Sequence, residues 1–191
     1  MRRRPRISTG GGDDGTTLHP DMKRRVSKAH PDIALVGLLD ELGSALGLAR
    51  TLLRPEAEEL DSELLTLQQW LLNVPPMLFS PPPSQRGSTA PSLAEMTERV
   101  EAWALALEER LPRLEHFTVS GETAGSAALH VARCVARRAE TEVVRLHGAS
   151  PPWRDLVRFL NRLADLLFLS ARWEPLAGKG PGRSNRTAAR S

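Results

Sequence analysis

Pro31-Asp32-Ile33-Ala34-Leu35-Val36-Gly37-Leu38-Leu39-Asp40-Glu41-Leu42-Gly43-Ser44-Ala45-Leu46 is the stretch whose reading decides the fold. Ile33, Val36, Leu39, Leu42 and Leu46, with Leu53 beyond, recur at steps of three and four, the spacing that lines one face of an α-helix. The same spacing returns four times downstream. Pro55 suits a first helical position, and Leu60, Leu64, Leu67, Leu71 and Leu72 carry a second helix that Pro75-Pro76 should bend or end. Residues 80–91 are too polar and proline-rich to pack and are expected to be a mobile connection. Ser92 with Glu95 makes a capping box opening a third helix, traced by Met96, Val100, Trp103, Leu107 and Leu111 and closed by Pro112. A fourth helix is expected from about Ser126 to Leu146, with Leu129, Val131, Val135, Val143 and Val144 as its apolar set. Pro151-Pro152 opens a fifth, carrying Leu156, Phe159, Leu160, Leu163, Leu167 and Phe168. No stretch looks like a strand. The expectation is an all-α five-helix bundle over residues 31–173, preceded by a tail and glycine-rich loop (1–30) and followed by a disordered basic tail (174–191).

The net charge of +3 sits in those tails: residues 1–6 carry +4 and residues 174–191 carry +3, so the stretch between them is acidic at −4. Nucleic-acid binders place a basic face on their folded part, which makes that class of partner unlikely here. The single cysteine, Cys134, excludes an internal disulfide and suggests a reducing compartment, the cytoplasm. No apolar stretch of signal-peptide length follows the basic N-terminus and none reaches the ~20 residues of a membrane span.

Polar residues on otherwise apolar helices mark the candidate site. His130, Arg133, Arg137 and Glu140 share one face of the fourth helix. That stripe is either a solvated face or a polyphosphate clamp, because guanidinium forks bind phosphate oxygens bidentately. His130 and Cys134, four apart, lack the further ligands a zinc site needs, so no metal site is assigned. In the first helix Asp40 and Glu41 stand beside Gly37, Gly43 and Gly47, which reads as small-residue helix packing or as close approach of a partner or flat ligand. Asn161, Arg162 and Asp165 interrupt the fifth helix, as a structural tie or as ligand contacts. The Thr9–Thr17 segment misses the Walker spacing, but its glycines suit backbone amides converging on phosphates, assisted by Thr16, Thr17 and Lys28.

Taken in order, Thr9-Gly10-Gly11-Gly12-Asp13-Asp14-Gly15-Thr16-Thr17, Lys28, Gly37-Leu38-Leu39-Asp40-Glu41-Leu42, Ser126-Ala127-Ala128-Leu129-His130-Val131-Ala132-Arg133 with Arg137-Arg138-Ala139-Glu140, and Phe159-Leu160-Asn161-Arg162-Leu163-Ala164-Asp165 with Ala171-Arg172 resemble the ATP:cob(I)alamin adenosyltransferases of the propanediol-utilisation and human methylmalonic-aciduria type. The resemblance spans residues 7–173 and implies a five-helix bundle assembled as a homotrimer, with active sites between subunits. It implies the substrates ATP and reduced cobalamin: cobalt(I) attacks the 5′ carbon of ATP and triphosphate leaves. By the same matching, Thr9, Gly12, Asp13, Gly15, Thr16 and Lys28 hold the triphosphate with Mg²⁺, Arg137 and Asn161 complete the nucleotide site and Glu140 supports it. Asp40 and Arg133 match an ion pair across the subunit interface, and Phe117 matches an aromatic that displaces the lower axial ligand of cobalt. A reductase and an adenosylcobalamin-dependent enzyme are the implied protein partners.

Several positions depart from the family pattern. The usual Thr-Lys-Thr-Gly reads Thr9-Gly10-Gly11-Gly12, so a lysine near the phosphates is missing. Asp32 stands where arginine is common, Val36 replaces an aromatic and Gly43 an asparagine. Pro75–Ser80 replaces a Gly-x-Asp-Leu-Ala-Thr stretch, and Ser120-Gly121-Glu122 replaces Pro-Gly-Gly beside the corrin site. These departures keep open a second reading, a weakened relative that binds ATP or cobalamin as carrier or sensor.

Overall fold

The computed structural model describes residues 10–79, 90–115, 119–148, 150–151 and 153–178. Five helices form, α1 (Pro31–Leu52), α2 (Glu58–Phe79), α3 (Leu93–Glu108), α4 (Ala124–His147) and α5 (Trp153–Trp173), with single 3-10 turns at Pro55–Ala57 and Glu174–Leu176. Helices α1, α4 and α5 form the centre: α4 packs on both α1 and α5, α2 lies outside α1, and α3 lies outside α5. Trp70 of α2 stacks on Trp103 of α3 at 5.6 Å between ring centroids, so the two outer helices also meet. Among the described residues no helix is long and apolar enough to cross a membrane.

The buried face of α1 is Leu35, Leu39, Leu42, Leu46 and Ala49, so Ile33 and Val36 are half-buried flanks rather than core. In α2 the spacing Leu60, Leu64, Leu67, Leu71 is buried, whereas Leu72 is 74% exposed. The larger correction concerns α4. Val131 and Val144 point outward at 55% and 47% exposure, and Ala128, Ala132, Ala136 and Ala139 fill the buried face with Leu129, Val135 and Val143. Small side chains let the central helix approach two neighbours at once, a role that hydrophobicity alone does not reveal. The three α1 glycines also separate: a Cβ on Gly47 would fall 2.9 Å from Gln68 Nε2, while Gly37 and Gly43 face open space. Gln68 reaches over that glycine to donate to the Gly43 carbonyl at 2.9 Å, and Arg50 binds Asp61 through two bonds of 2.8 and 2.9 Å.

The capping box forms as expected, with Ser92 and Glu95 satisfying each other's amides. Of the two outcomes expected at Pro75-Pro76, a bend or an end, the end does not occur, and α2 runs on to Phe79; burial of Phe79 against His19 and Trp153 offsets the missing amide bonds. Two expectations fail. Residues expected to be loop form a two-stranded antiparallel hairpin, β1 (Thr16–Leu18) with β2 (Arg25–Ser27), where Thr17 pairs with Val26; alternation in three-residue strands is too short to register as a pattern. Residues 174–178 are packed rather than tail, since Glu174 is fully buried and Pro175 and Ala177 are buried beside it. Most of the expected connection at 80–91 and the rest of the basic tail lie outside the described residues.

On α2, Glu63 sits half-buried beside Glu59, and burial first, then that neighbour, pushes its carboxyl up to about 7. Between about pH 4.5 and 7 the folded state therefore holds a proton that the unfolded state has released, so the contribution of this group to stability is full below about pH 4.5 and is lost as pH rises through 7. Glu63→Gln is expected to raise stability by about 1–2 kcal/mol at pH 8, after allowance for solvent screening, and to leave it unchanged at pH 4. Thermal melts at the two pH values check this; equal effects at both would refute it.

Candidate functional site

Two groups of polar side chains stand out, and each begins with local backbone chemistry. In the first, Gly10 and Gly15 adopt φ of 74° and 76°, values that favour glycine, and fold the chain into tight turns before β1. Asp14 closes the second turn: its Oδ1 accepts the Thr16 amide at 2.9 Å and the Thr16 hydroxyl at 2.8 Å, and these bonds, with Arg25 nearby, hold the carboxyl below its ordinary range. Arg25 laces the loop together, donating to Thr16 Oγ1 at 2.7 Å, to the Thr16 carbonyl at 2.9 Å and to the Gly11 carbonyl. Lys28 lies over Gly12, where a Cβ would come within 2.9 Å of the Lys28 Nζ; its amide donates to the Gly15 carbonyl at 2.9 Å. The result is an exposed loop with a lysine ammonium directly above a glycine backbone.

The second group lies on α4 and α5. Asn161 Nδ2 donates to Glu140 Oε1 at 2.9 Å, and Asn161 Oδ1 accepts from Arg162 at 3.1 Å, with Arg162 also held by Asp165 and Glu101. Asn161 is thus fixed by two charged neighbours at once. Arg137, one helical turn before Glu140 on the same face, is exposed, and among the described residues its guanidinium has no partner. Asp40 of α1 is likewise exposed and without an ion pair, and Arg133 Nε is buried without a hydrogen bond. Arg138 pairs with Glu41 across α4 and α1.

Of the residues singled out in the sequence, Gly12, Asp13, Gly15, Thr16 and Lys28 gather in the hairpin loop, and Arg133, Arg137, Glu140 and Asn161 gather on α4 and α5. Within the one chain no hydrogen bond or ion pair among the described residues joins the two groups, nor Asp40 to Arg133. Thr9 and Phe117 lie outside the described residues. Arg25 and Glu101 were missed as organisers: each acts through a partner many positions away, Thr16 for the one and Arg158 and Arg162 for the other, and neither leaves a periodic trace.

A cleft of about 320 Å³ opens where the α3–α4 connection meets α5, lined by Leu111, Leu114, Val119, Ser126, His130 and Arg172 among others. His130 is 8% exposed, its Nδ1 has no hydrogen-bond partner, and burial together with the Arg133 charge lowers its pKa, which keeps the ring neutral.

Fold and site together define a five-helix bundle that carries a glycine-rich hairpin at its N-terminus. The chain belongs to the cobalamin adenosyltransferase family, whose model matches residues 7–174. It is 34% identical over 180 residues to a bovine (Bos taurus) corrinoid adenosyltransferase, MMAB, covering 93% of this chain and 74% of that one. A cobalamin adenosyltransferase of Cupriavidus metallidurans is 37% identical over 180 residues, covering 92% and 91%. Among solved structures, a phenylalanine-to-alanine variant of the PduO-type ATP:corrinoid adenosyltransferase of Lactobacillus reuteri, complexed with cobalamin and ATP, superposes with a TM-score of 0.77 at 32% identity, covering 88% of this chain and 92% of that one.

Proposed function

We propose that this protein is an ATP-dependent corrinoid adenosyltransferase that moves the 5′-deoxyadenosyl group of ATP to the cobalt of reduced cobalamin and releases triphosphate. The observation that carries the reading is the unpartnered, exposed Arg137 one turn from the fixed Asn161–Glu140 pair, on the family's most specific sequence blocks. A free guanidinium beside an amide held in one orientation suits a polyanionic nucleotide: the arginine binds phosphate oxygens, and the asparagine supplies a directed contact. Thr9, Gly12, Asp13, Gly15, Thr16 and Lys28 are assigned to the triphosphate. The oxygen donors of the loop suit a hard ion, and Mg²⁺ arriving with the nucleotide would take most of its ligands from phosphate and water.

Among the described residues no hydrogen bond or ion pair joins the two groups within one chain, which favours a site completed by a second copy and supports the homotrimer. Asp40 and Arg133, each lacking an ion-pair partner among the described residues, are assigned to one another across that seam, and the outward Val131 and Leu48 on the same two helices supply apolar surface for it. The cleft beside Val119 and His130 is assigned to the corrin face, with Phe117 at the lower side of the cobalt. The bundle of residues 31–173 with its N-terminal loop is the working unit, placed in the cytoplasm.

Chemically, the cobalt(I) electron pair forms the Co–C bond as the C5′–O bond breaks, and the pair of that bond leaves with triphosphate. No proton moves in this step, so the protein's task is alignment and charge stabilisation rather than acid–base catalysis. Mixing the protein with ATP and chemically reduced cobalamin is expected to convert the cobalamin spectrum and release triphosphate stoichiometrically. Saturable ATP binding without product, in folded protein, would replace this reading with that of a carrier or sensor, which the missing loop lysine favours.

A further inference from the structure

The loop that carries Gly12 is held by one side chain from β2. Arg25 donates through Nε to Thr16 Oγ1 at 2.7 Å, and through Nη2 to the Thr16 carbonyl at 2.9 Å and to the Gly11 carbonyl, with Asp14 Oδ1 3.5 Å away. These bonds use two of the three guanidinium nitrogens. The third, Nη1, carries two N–H donors and has no hydrogen-bond partner among the described residues, and the side chain stays 48% exposed.

Charge gives that spare edge a task. Residues 10–17 contain Asp13 and Asp14 and no basic side chain, so the loop itself carries −2, a sign that repels a triphosphate. Two cations reach it from further along the chain, and they border the same backbone. The Thr16 carbonyl oxygen lies 2.9 Å from Arg25 Nη2 and 3.2 Å from where a Gly12 Cβ would stand, the point that Lys28 Nζ approaches to 2.9 Å. Lys28 has no ion pair among the described residues, and the one carboxylate beside Arg25, Asp14, is well exposed at 3.5 Å, a weak partner. Lys28 alone leaves the loop negative; Arg25 brings it to neutrality. The lysine missing at Gly10 therefore does not leave the loop without a second cation.

We propose that Arg25 is a triphosphate-binding residue: Nε and Nη2 fix the guanidinium on the loop, and Nη1 donates to phosphate oxygens beside Lys28. The inference rests on the adenosyltransferase reading and adds to it the cation that stands in for the missing lysine. A guanidinium held by several acceptors before the nucleotide arrives has little rotamer freedom left to lose on binding, so its contact is preorganised. Arg24, its neighbour, is bonded to Met22 Sδ at 3.4 Å and makes no bond to the loop among the described residues.

The test is calorimetric binding of inorganic tripolyphosphate with Mg²⁺ to the full chain at several NaCl concentrations, beside ATP turnover with chemically reduced cobalamin. Arg25→Gln is expected to weaken tripolyphosphate and ATP binding about 10–100-fold, the span of a charge-assisted contact, and to make binding less sensitive to salt. In turnover the change should fall on the KM for ATP rather than on kcat. Arg25→Lys keeps the charge as a point donor and should recover most of the affinity; a residue that merely laces the loop predicts no recovery, because an ammonium lacks the fork that spans Thr16 and Gly11. Arg24→Gln removes the same charge one residue away and should bind as the parent does. Unaltered affinity in Arg25→Gln, equal losses in its lysine and glutamine variants, or an equal loss in Arg24→Gln each overturns the inference and leaves the adenosyltransferase reading standing. If hydrogen exchange shows the hairpin of Arg25→Gln open at the Lys28 amide, which bonds the Gly15 carbonyl, the lysine variant decides alone. Absence of tripolyphosphate binding by the parent overturns the inference at any level of turnover. The expected binding pattern in a parent that transfers no adenosyl group overturns the transferase reading instead.

Discussion

Arg137→Ala is expected to weaken ATP binding by at least about a hundredfold, about 2.7 kcal/mol, and to leave the melting temperature unchanged. The two halves of this expectation have separate causes. Arg137 is exposed, with no partner among the described residues, so truncation removes no packing and orphans no neighbour; surface changes of that kind stay within about 0.5 kcal/mol. Its proposed work lies wholly in the complex, where loss of a bidentate guanidinium–phosphate contact is felt at full strength. Arg137→Lys should recover part of the affinity, because a point charge replaces the fork. Calorimetric titration with ATP beside a thermal melt measures both; unaltered affinity removes Arg137 from the nucleotide site.

The opposite pattern is expected at Glu174. This carboxylate is fully buried, accepts the Arg54 amide at 3.1 Å, and accepts the hydroxyl of Thr123, the N-cap of α4. It stands against the first turn of α4, where the helix dipole favours negative charge, and so close to Gly125 that a Cβ there would come within 2.8 Å of Oε1. Glu174→Ala strands a buried amide and a hydroxyl and leaves a void, with an expected loss of about 3–4 kcal/mol, or about 6–16 °C in melting temperature. Glu174→Gln keeps the shape and one acceptor and should lose less. A melt of the alanine variant within about 2 °C of the parent would show that the contact contributes little.

Which features could be read from the chain beforehand follows from the range of the interactions involved. The leucine spacings of α1 and α2, Leu72 apart, and the Ser92–Glu95 box act within a few residues, and they stand in the structure where the sequence places them. The buried face of α4 was misjudged because alanine is chosen there for its size, and Val131 and Val144, the more hydrophobic side chains, face outward. Glu174 looked like the start of a tail because its partners are Arg54, 120 residues away, and Thr123, 51 away. In the candidate site, the pairing of Asn161 with Glu140 was legible as polar residues on apolar stripes, whereas the Arg25 lacing of the loop was not.

The prolines inside α2 set where the molecule gives first. Pro75 and Pro76 have no amide hydrogen, so the carbonyls of Leu71 and Leu72 receive no i+4 bond, and the last turn of α2 is held chiefly by Phe79 beneath His19 and Trp153. A helix end that lacks two of its backbone bonds is the part of α2 that opens most easily. Its release would also remove Phe79 from beneath His19 and so take away the aromatic floor under the hairpin.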